Sequence, residues 1–293
     1  MQWLIKTAVG AAATLLSGQL PAYAAFEIIG QGARAIALGG AFTAVEDDPE
    51  TVWFNPAGSA RVTSVGVGLT HAQLYPGLEE SPGLHALSVH FPLSGGGAQL
   101  GLSLLSHRDW SEQILVAGYG RPLHPRVAVG GNVSSMGWQI GGLSRRTLRV
   151  DIGGAYEVGW VSSRAYVRLG LKLSNLTRAN IAASGHRSGR TPVGGVVALS
   201  IDLEHQRLLL DLQRQGENYQ FRTGYETRPQ GWAGFQFRMG GSVLVFHRDS
   251  GELDVGLGNV WREWLFDYAY SYPLTLGGFG GIHWVGVRWQ QQG

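Results

Sequence analysis

From about Val62 to Trp289, apolar and polar residues alternate along the chain with a period of two. Between Arg164 and Leu173, Val167, Leu169, Leu171 and Leu173 share one face, while Arg164, Tyr166, Arg168 and Lys172 share the other. Leu208, Leu210 and Leu212 oppose Arg207 and Asp211. Tyr219, Phe221 and Tyr225 oppose Gln220, Arg222 and Glu226, and the aromatics of Phe235 to Met239 oppose Gln236 and Arg238. A period of two with one apolar face is the signature of a half-buried strand. It predicts strands near 62–71, 84–92, 97–106, 112–120, 125–137, 147–159, 163–174, 193–203, 206–214, 218–226, 231–239, 242–248, 253–259, 262–272 and 279–289. Ser94-Gly95-Gly96, Arg121-Pro122, Ser184-Gly185, Asp249-Ser250-Gly251 and Leu276-Gly277-Gly278 supply turn signals between them. The polar stretch from Asn175 to Thr191 is expected to be an extracellular loop.

Alternation alone does not say where the apolar face points. In a soluble sandwich it faces a core; in a membrane barrel it faces lipid, and the polar face lines the lumen. Many of the expected strands run about nine to eleven residues, enough to cross a bilayer when tilted. Charged residues are 15% of the 293-residue chain, against about 25% in soluble proteins. No stretch after the N-terminus offers the ~18 consecutive apolar residues of a membrane helix. Forty-five glycines and ten each of Trp, Tyr and Phe suit strands that hide their hydrophobicity in alternation. Trp138, Trp160, Trp232, Trp261, Trp264 and Trp284 fall near strand ends, where interfacial girdles sit. The expected class is an all-β transmembrane antiparallel barrel; a soluble sheet stays open at this point. Single-chain bacterial barrels use an even number of strands, so about 14 are expected from the 15 candidates, with a surplus segment near 243–259.

The chain has no cysteine, which excludes disulfides and thiolate metal sites. Its net charge of +2 gives nucleic-acid binding no electrostatic support. Lys6, an apolar stretch from Thr7 to Leu16 and the small-residue site Ala22-Tyr23-Ala24 read as a secretory signal cut before Ala25. The expected organisation is a signal peptide over 1–24, a distinct segment over 25–60 and the barrel over 61–293, in a bacterial outer membrane surrounded by its lipid.

Residues 25–60 do not alternate. Asp48 can cap a short helix with Pro49 at its first position, and Asn55, preceding Pro56, should end it. Gly39-Gly40 allows a bend or a close backbone contact. Gly32-Ala33-Arg34-Ala35, then Gly39-Gly40-Ala41-Phe42-Thr43-Ala44, the acidic Asp47-Asp48 and Asn55-Pro56-Ala57-Gly58 resemble the N-terminal signature of FadL-type outer-membrane proteins. That superfamily includes long-chain fatty-acid transporters and the PorV-like proteins of a bacterial secretion system. The resemblance implies that the segment folds inside the barrel as a plug containing Gly39, Gly40, Asp47, Asp48, Asn55, Pro56, Ala57 and Gly58. Plug backbone that pairs with no strand must be satisfied by side chains or water, which Asn and the acidic pair can do. The competing expectation is a capped turn at the periplasmic rim. The chain is shorter than the fatty-acid transporters of that family, so their long extracellular loops are expected to be missing.

Gly30-x-Gly32-x-x-Ala35 matches a dinucleotide fingerprint but lacks the strand–helix units that would use it. No His-Glu-x-x-His and no Gly-x-Ser-x-Gly motif occurs, and the nine His are scattered, so no catalytic residue, metal site or cofactor is expected. Strand parity turns Arg149, Asp151, Arg164, Arg168, Lys172, Asp202, Arg207, Asp211, Arg222, Glu226, Arg238, Asp254 and Asp267 toward the lumen. These mixed charges either pair with one another and with Glu46, Asp47 and Asp48, or are simply hydrated. By resemblance, the chain either passes hydrophobic small molecules or serves as a non-transporting partner of a secreted or assembling protein.

Overall fold

The computed structural model describes residues 31–46, 48–182, 189–245 and 247–291, without the side chains of 247–250. The expected signal peptide and Asp47 lie outside the described residues.

Fourteen antiparallel strands close into a barrel. They are β1 (Gly66–Leu74), β2 (Gly83–Leu93), β3 (Gly96–His107), β4 (Trp110–His124), β5 (Val127–Ile140), β6 (Leu143–Ser162) and β7 (Ala165–Ser174), then β8 (Gly194–Leu203), β9 (Gln206–Gln215), β10 (Asn218–Thr227), β11 (Phe235–Leu244), β12 (His247–Trp261), β13 (Trp264–Pro273) and β14 (Ile282–Gln290). Each strand pairs with its sequence neighbours, and β1 closes on β14 from Gly66↔Gln290 to Leu74↔Ile282. One end of the barrel carries both ends of the strand run. The other carries the 75–82, 175–193 and 274–281 connections. Several hairpins turn in two residues. Gly141 and Gly142 do so with φ of 50° and 86°, the geometry of a type I′ turn, which suits the twist of the flanking strands.

Two turn signals misled. Arg121-Pro122 lies inside β4, where a register shift between Pro122 and His124 accommodates the proline. Asp249-Ser250-Gly251 lies inside β12, because the hairpin turns earlier, after a register shift at Val243/Leu244. The candidate at 242–248 therefore dissolves into β11 and β12, and the count becomes 14.

The apolar face points outward around the whole barrel. Leu69, Leu115, Val133, Leu171, Val197, Met239, Leu253 and Val285 each remain half exposed or more. Inward positions on the same strands are polar, glycine or buried apolar. Trp160, Trp232, Trp261 and Trp264 are exposed near the end that carries the termini, as a girdle requires. Trp138 and Trp284 depart from that expectation and point inward. Trp284 fits there because its cross-strand partners are Ala72 and Ala269.

The N-terminal segment lies within the barrel and not at its rim. It forms α1 (Ala33–Ala37), α2 (Thr51–Phe54) and a 3-10 turn over Pro56–Ser59. Asn55 is extended at φ −149° and ends α2 as its place before Pro56 predicts. Its Oδ1 accepts from Ala57 N at 3.0 Å and caps the 3-10 turn. Asp48 caps the preceding turn and not α2 itself, its Oδ1 accepting from Glu50 N at 2.9 Å.

The barrel wall makes room for this segment with glycines on inward positions. A Cβ at Gly170 would sit 2.5 Å from Thr43 O, at Gly224 2.6 Å from Leu38 O, at Gly101 2.8 Å from the Trp53 ring and at Gly120 2.8 Å from Ala60 N. One at Gly130, Gly153, Gly240 or Gly256 would overlap Pro56, Asn55, Gly39 or Ala37. These positions lie on β3–β7 and β10–β12, so eight of the fourteen strands are bare where the segment passes.

Candidate functional site

The lumen has two chemically distinct sides. Leu74, Leu84, Leu105, Ile114, Val116, Met136, Ile282 and Trp284 face inward from β1–β5 and β14. Most sit near the strand ends that meet the loop-bearing connections. They are continuous with Phe42, Val45, Val52, Trp53 and Phe54 of the N-terminal segment in one buried apolar cluster, with Tyr75, Trp110, Trp138 and Ile181 packed around it. The rings of Phe42 and Phe54 meet at a tilt of 56° with centroids 5.2 Å apart. The β7–β8 connection reaches over the mouth, where Trp138 Nε1 donates to Ile181 O at 2.8 Å. A largely apolar lining, broken by the buried Glu112 between Leu105 and Trp138, thus leads from the loop-bearing end to the N-terminal segment.

The opposite side is a closed ring of ion pairs. Arg34 Nη1 meets Asp48 Oδ2 at 2.6 Å, and Arg34 Nε meets Glu226 Oε2 at 3.0 Å. Arg238 bridges Glu226 Oε2 and Asp267 Oδ1, both at 2.7 Å. Arg288 Nη2 meets Asp267 Oδ2 at 2.8 Å, and its Nη1 returns to Asp48. Three guanidiniums alternate with three carboxylates, and all six side chains are buried. Breaking a buried pair strands an uncompensated charge and costs about 3–5 kcal/mol. The ring thereby couples the N-terminal segment to β10, β11, β13 and β14. Burial pushes the Asp48 carboxyl up, but Arg288 and Arg34 outweigh it and hold the group at about 2. Glu50, on the same segment, is pushed up to about 8 by burial and by the Asp48 carboxylate. Neutral Glu50 leaves the ring charge-balanced at neutral pH.

Side chains also satisfy the segment's unpaired backbone. Asn55 Nδ2 donates to Thr43 O at 2.7 Å and to Gly154 O of β6 at 3.2 Å. Asn132 Nδ2 of β5 donates to Val52 O at 2.9 Å, and Lys172 Nζ of β7 to Trp53 O at 3.0 Å. Thr43 N donates to Asp211 Oδ2 of β9 at 3.2 Å, and Ala35 N to Glu50 Oε2 at 3.3 Å.

Most residues singled out from sequence meet at this site. Gly39 and Gly40 both have φ of 68°, and Gly39 lies against the backbone of Thr223 and Gly241. Pro56 abuts Gly130 and Gly153, Ala57 packs with Ala60, Ala128 and Ala155, and Gly58 lies against Thr51. Asp48, Asn55, Lys172, Asp211, Glu226 and Arg238 engage as described. Arg222 faces inward, donating to Gln220 Oε1 at 2.8 Å. Arg149, Asp151, Asp254 and Asp267 are also buried inward. Arg168 meets Asp202 at 2.5 Å nearer the rim, and Arg207 shares that carboxylate. Glu46 pairs with Arg61, just past the end of the segment, at 3.1 Å. Arg164 is a correction: it lies exposed in the β6–β7 turn, because β7 begins only at Ala165.

Sequence reasoning missed Arg34, Glu50 and Arg288 as charge partners, and the apolar inner wall entirely. Arg288 was accessible from parity, since Val285, Val287 and Trp289 define the outward face of β14. The apolar wall was not, because its residues interrupt the simple rule of polar inside and apolar outside.

This architecture is shared with solved structures. The toluene transporter TbuX of Ralstonia pickettii aligns at a TM-score of 0.59 and 12% identity, over 91% of this chain and 99% of its own. The monoaromatic hydrocarbon channel CymD aligns at 0.59 and 12%, over 92% and 99%. A FadL homologue of Pseudomonas aeruginosa aligns at 0.54 and 12%, over 86% and 93%. The fold is that of the FadL-type barrels. No protein-family model matches the sequence, and no curated protein matches it. At such identities the FadL-type likeness is one of fold, and the lining of this lumen must speak for itself.

Proposed function

We propose that this FadL-type barrel is a bacterial outer-membrane channel for hydrophobic small molecules, with the N-terminal segment as its plug. It is exported behind the signal peptide over 1–24, and its loop-bearing end faces outside. The observation that carries this is the apolar lining from Leu74, Leu105 and Met136 down to Trp53, Phe54 and Phe42. A hydrophobic solute entering from outside meets mainly leucine, methionine and aromatic side chains along that side, with the buried Glu112 of β4 between Leu105 and Trp138 as a carboxyl on the wall. The toluene and monoaromatic hydrocarbon assignments of TbuX and CymD support the same solute class.

Uptake of radiolabelled toluene tests the proposal in cells whose own hydrocarbon channels are deleted. The wild-type chain should raise uptake. Met136→Asp, which puts a carboxyl on the apolar wall, should abolish the gain while the barrel still assembles. Equal uptake with and without the wild-type chain would defeat the proposal. The buried ion-pair ring favours a second reading, a fixed barrel that acts as a PorV-like partner. That reading calls for a secreted or assembling protein to copurify with the detergent-extracted chain in the absence of any uptake.

A further inference from the structure

The outer wall carries a second feature, remote from the lumen. On β6 to β9, the outward Ile152, Leu171, Leu173, Val197 and Leu212 are large and exposed. Between them the outward positions 154 and 195 are glycines, and the missing side chains leave an apolar trough of about 510 Å³. At the loop-bearing end it runs into a second hollow of about 580 Å³, which shares Leu173, Gly195 and Arg214 with it. Arg178, Arg190 and Arg214 all line this upper hollow.

These arginines are unlike those of the lumen. None of the three forms an ion pair with a carboxylate among the described residues; Glu217 in the adjoining turn pairs with none of them, and the 183–188 stretch contains no acid. Arg214 donates to Gly216 O at 3.1 Å and lies 5.5 Å from the centroid of the Tyr219 ring. Arg178 and Arg190 are set by an organised loop. Buried Asn175 donates through Nδ2 to Thr191 O at 2.9 Å and Pro192 O at 3.0 Å, and its Oδ1 accepts from Ala179 N at 2.9 Å. Asn180 and Arg190 form a β-bridge. The rim therefore presents three guanidiniums, two of them on a loop whose backbone is held by Asn175, directly above an apolar trough in the face that meets lipid.

We propose that this is a binding site for a glycolipid with phosphorylated sugars and several acyl chains, the class that forms the outer leaflet of a bacterial outer membrane. Guanidinium forks match phosphate oxygens, and three of them suit a headgroup with more than one phosphate. One acyl chain lies in the trough over Gly154 and Gly195, and the upper hollow takes the sugar. The proposal rests on the outer-membrane reading, which puts this end of the barrel in that leaflet.

The test is native mass spectrometry of the full detergent-extracted protein, titrated separately with lipid A and with phosphatidylglycerol. Wild type should hold lipid A at concentrations at least tenfold below those needed for phosphatidylglycerol. The triple variant Arg178→Gln, Arg190→Gln, Arg214→Gln should lose that preference, and Gly195→Leu should weaken it without changing charge. A control with Arg121, Arg126 and Arg262 at the opposite end changed to Gln should keep it. Heat-modifiable gel migration confirms that each variant is folded. Retention of lipid A equal in wild type and triple variant overturns the site, as does equal retention of the two lipids by wild type. Failure of the wild-type chain to insert into vesicles would instead overturn the outer-membrane reading beneath it.

Discussion

Glu50 shows how a single buried carboxyl sets the behaviour of the segment. Its pKa rises from 4.5 to about 8 through burial and the neighbouring Asp48 carboxylate. A carboxyl raised on folding stabilises the folded form fully below its ordinary value, and that contribution shrinks as pH climbs to the folded value. The hold on the segment should weaken from about pH 5 to pH 8. Asp48 has the opposite sign: its contribution is present above its ordinary value and is lost only as pH falls through about 2. Glu50→Gln removes the titration while keeping the shape. Trypsin cleavage after Arg34, divided at each pH by the cleavage rate of an unstructured arginine peptide to remove the protease's own pH dependence, should rise from pH 5 to pH 9 in wild type and stay flat in Glu50→Gln. Parallel profiles would show that Glu50 does not titrate in this window. Asn55 was legible as a helix stop before Pro56, since that restriction is local. Its bonds to Thr43 O and Gly154 O were not, because they join residues 12 and 99 positions away.

At the level of elements, period-two alternation assigned nearly every strand, and its parity put most of the charges singled out, though not Arg164, on the inward face. It failed where the ladder is irregular: at the shifts around Pro122, Val243 and Gly159. Each extra residue flips the faces that follow; Arg164 was misassigned for another reason, since β7 begins only at Ala165 and leaves it in the turn. Glycine abundance read only as barrel composition, yet the inward glycines admit the N-terminal segment against the wall. Gly240→Val on β11 tests this, because its Cβ would overlap the backbone of Leu38 and Gly39. Overpacking of this kind costs about 1–3 kcal/mol where side chains can adjust, and backbone cannot easily adjust. The barrel should still form and shift on heating, while the N-terminal segment becomes open to trypsin. Wild-type protease resistance in the variant would refute the tight fit.

At the scale of the whole molecule, the ion-pair ring fastens one side of the N-terminal segment, the proposed plug, to β10, β11, β13 and β14, while the other side faces the largely apolar wall. In planar bilayers the wild-type barrel should show no large steady conductance. Arg34→Ala with Asp48→Ala removes both plug members of the ring and leaves Arg288, Glu226, Arg238 and Asp267 to one another. That variant should open a conducting state, and its plug should be protease-sensitive. A large steady conductance in wild type would reject the plug outright.

The sequence by itself determined the architecture class, the direction of most side chains and the presence of a separate segment before the barrel. Alternation, turn chemistry and the Asn55-Pro56 stop are local, and each acts over a few residues. Only the tertiary structure decided which charges meet, because Arg34 and Glu226 are 192 positions apart and are joined by barrel closure and strand register. It also decided that the lumen has an apolar side, since inward Leu105 and Met136 gain their meaning only opposite Trp53 and Phe54. Contacts across a closed barrel depend on the register of every intervening strand, and no local pattern encodes that sum.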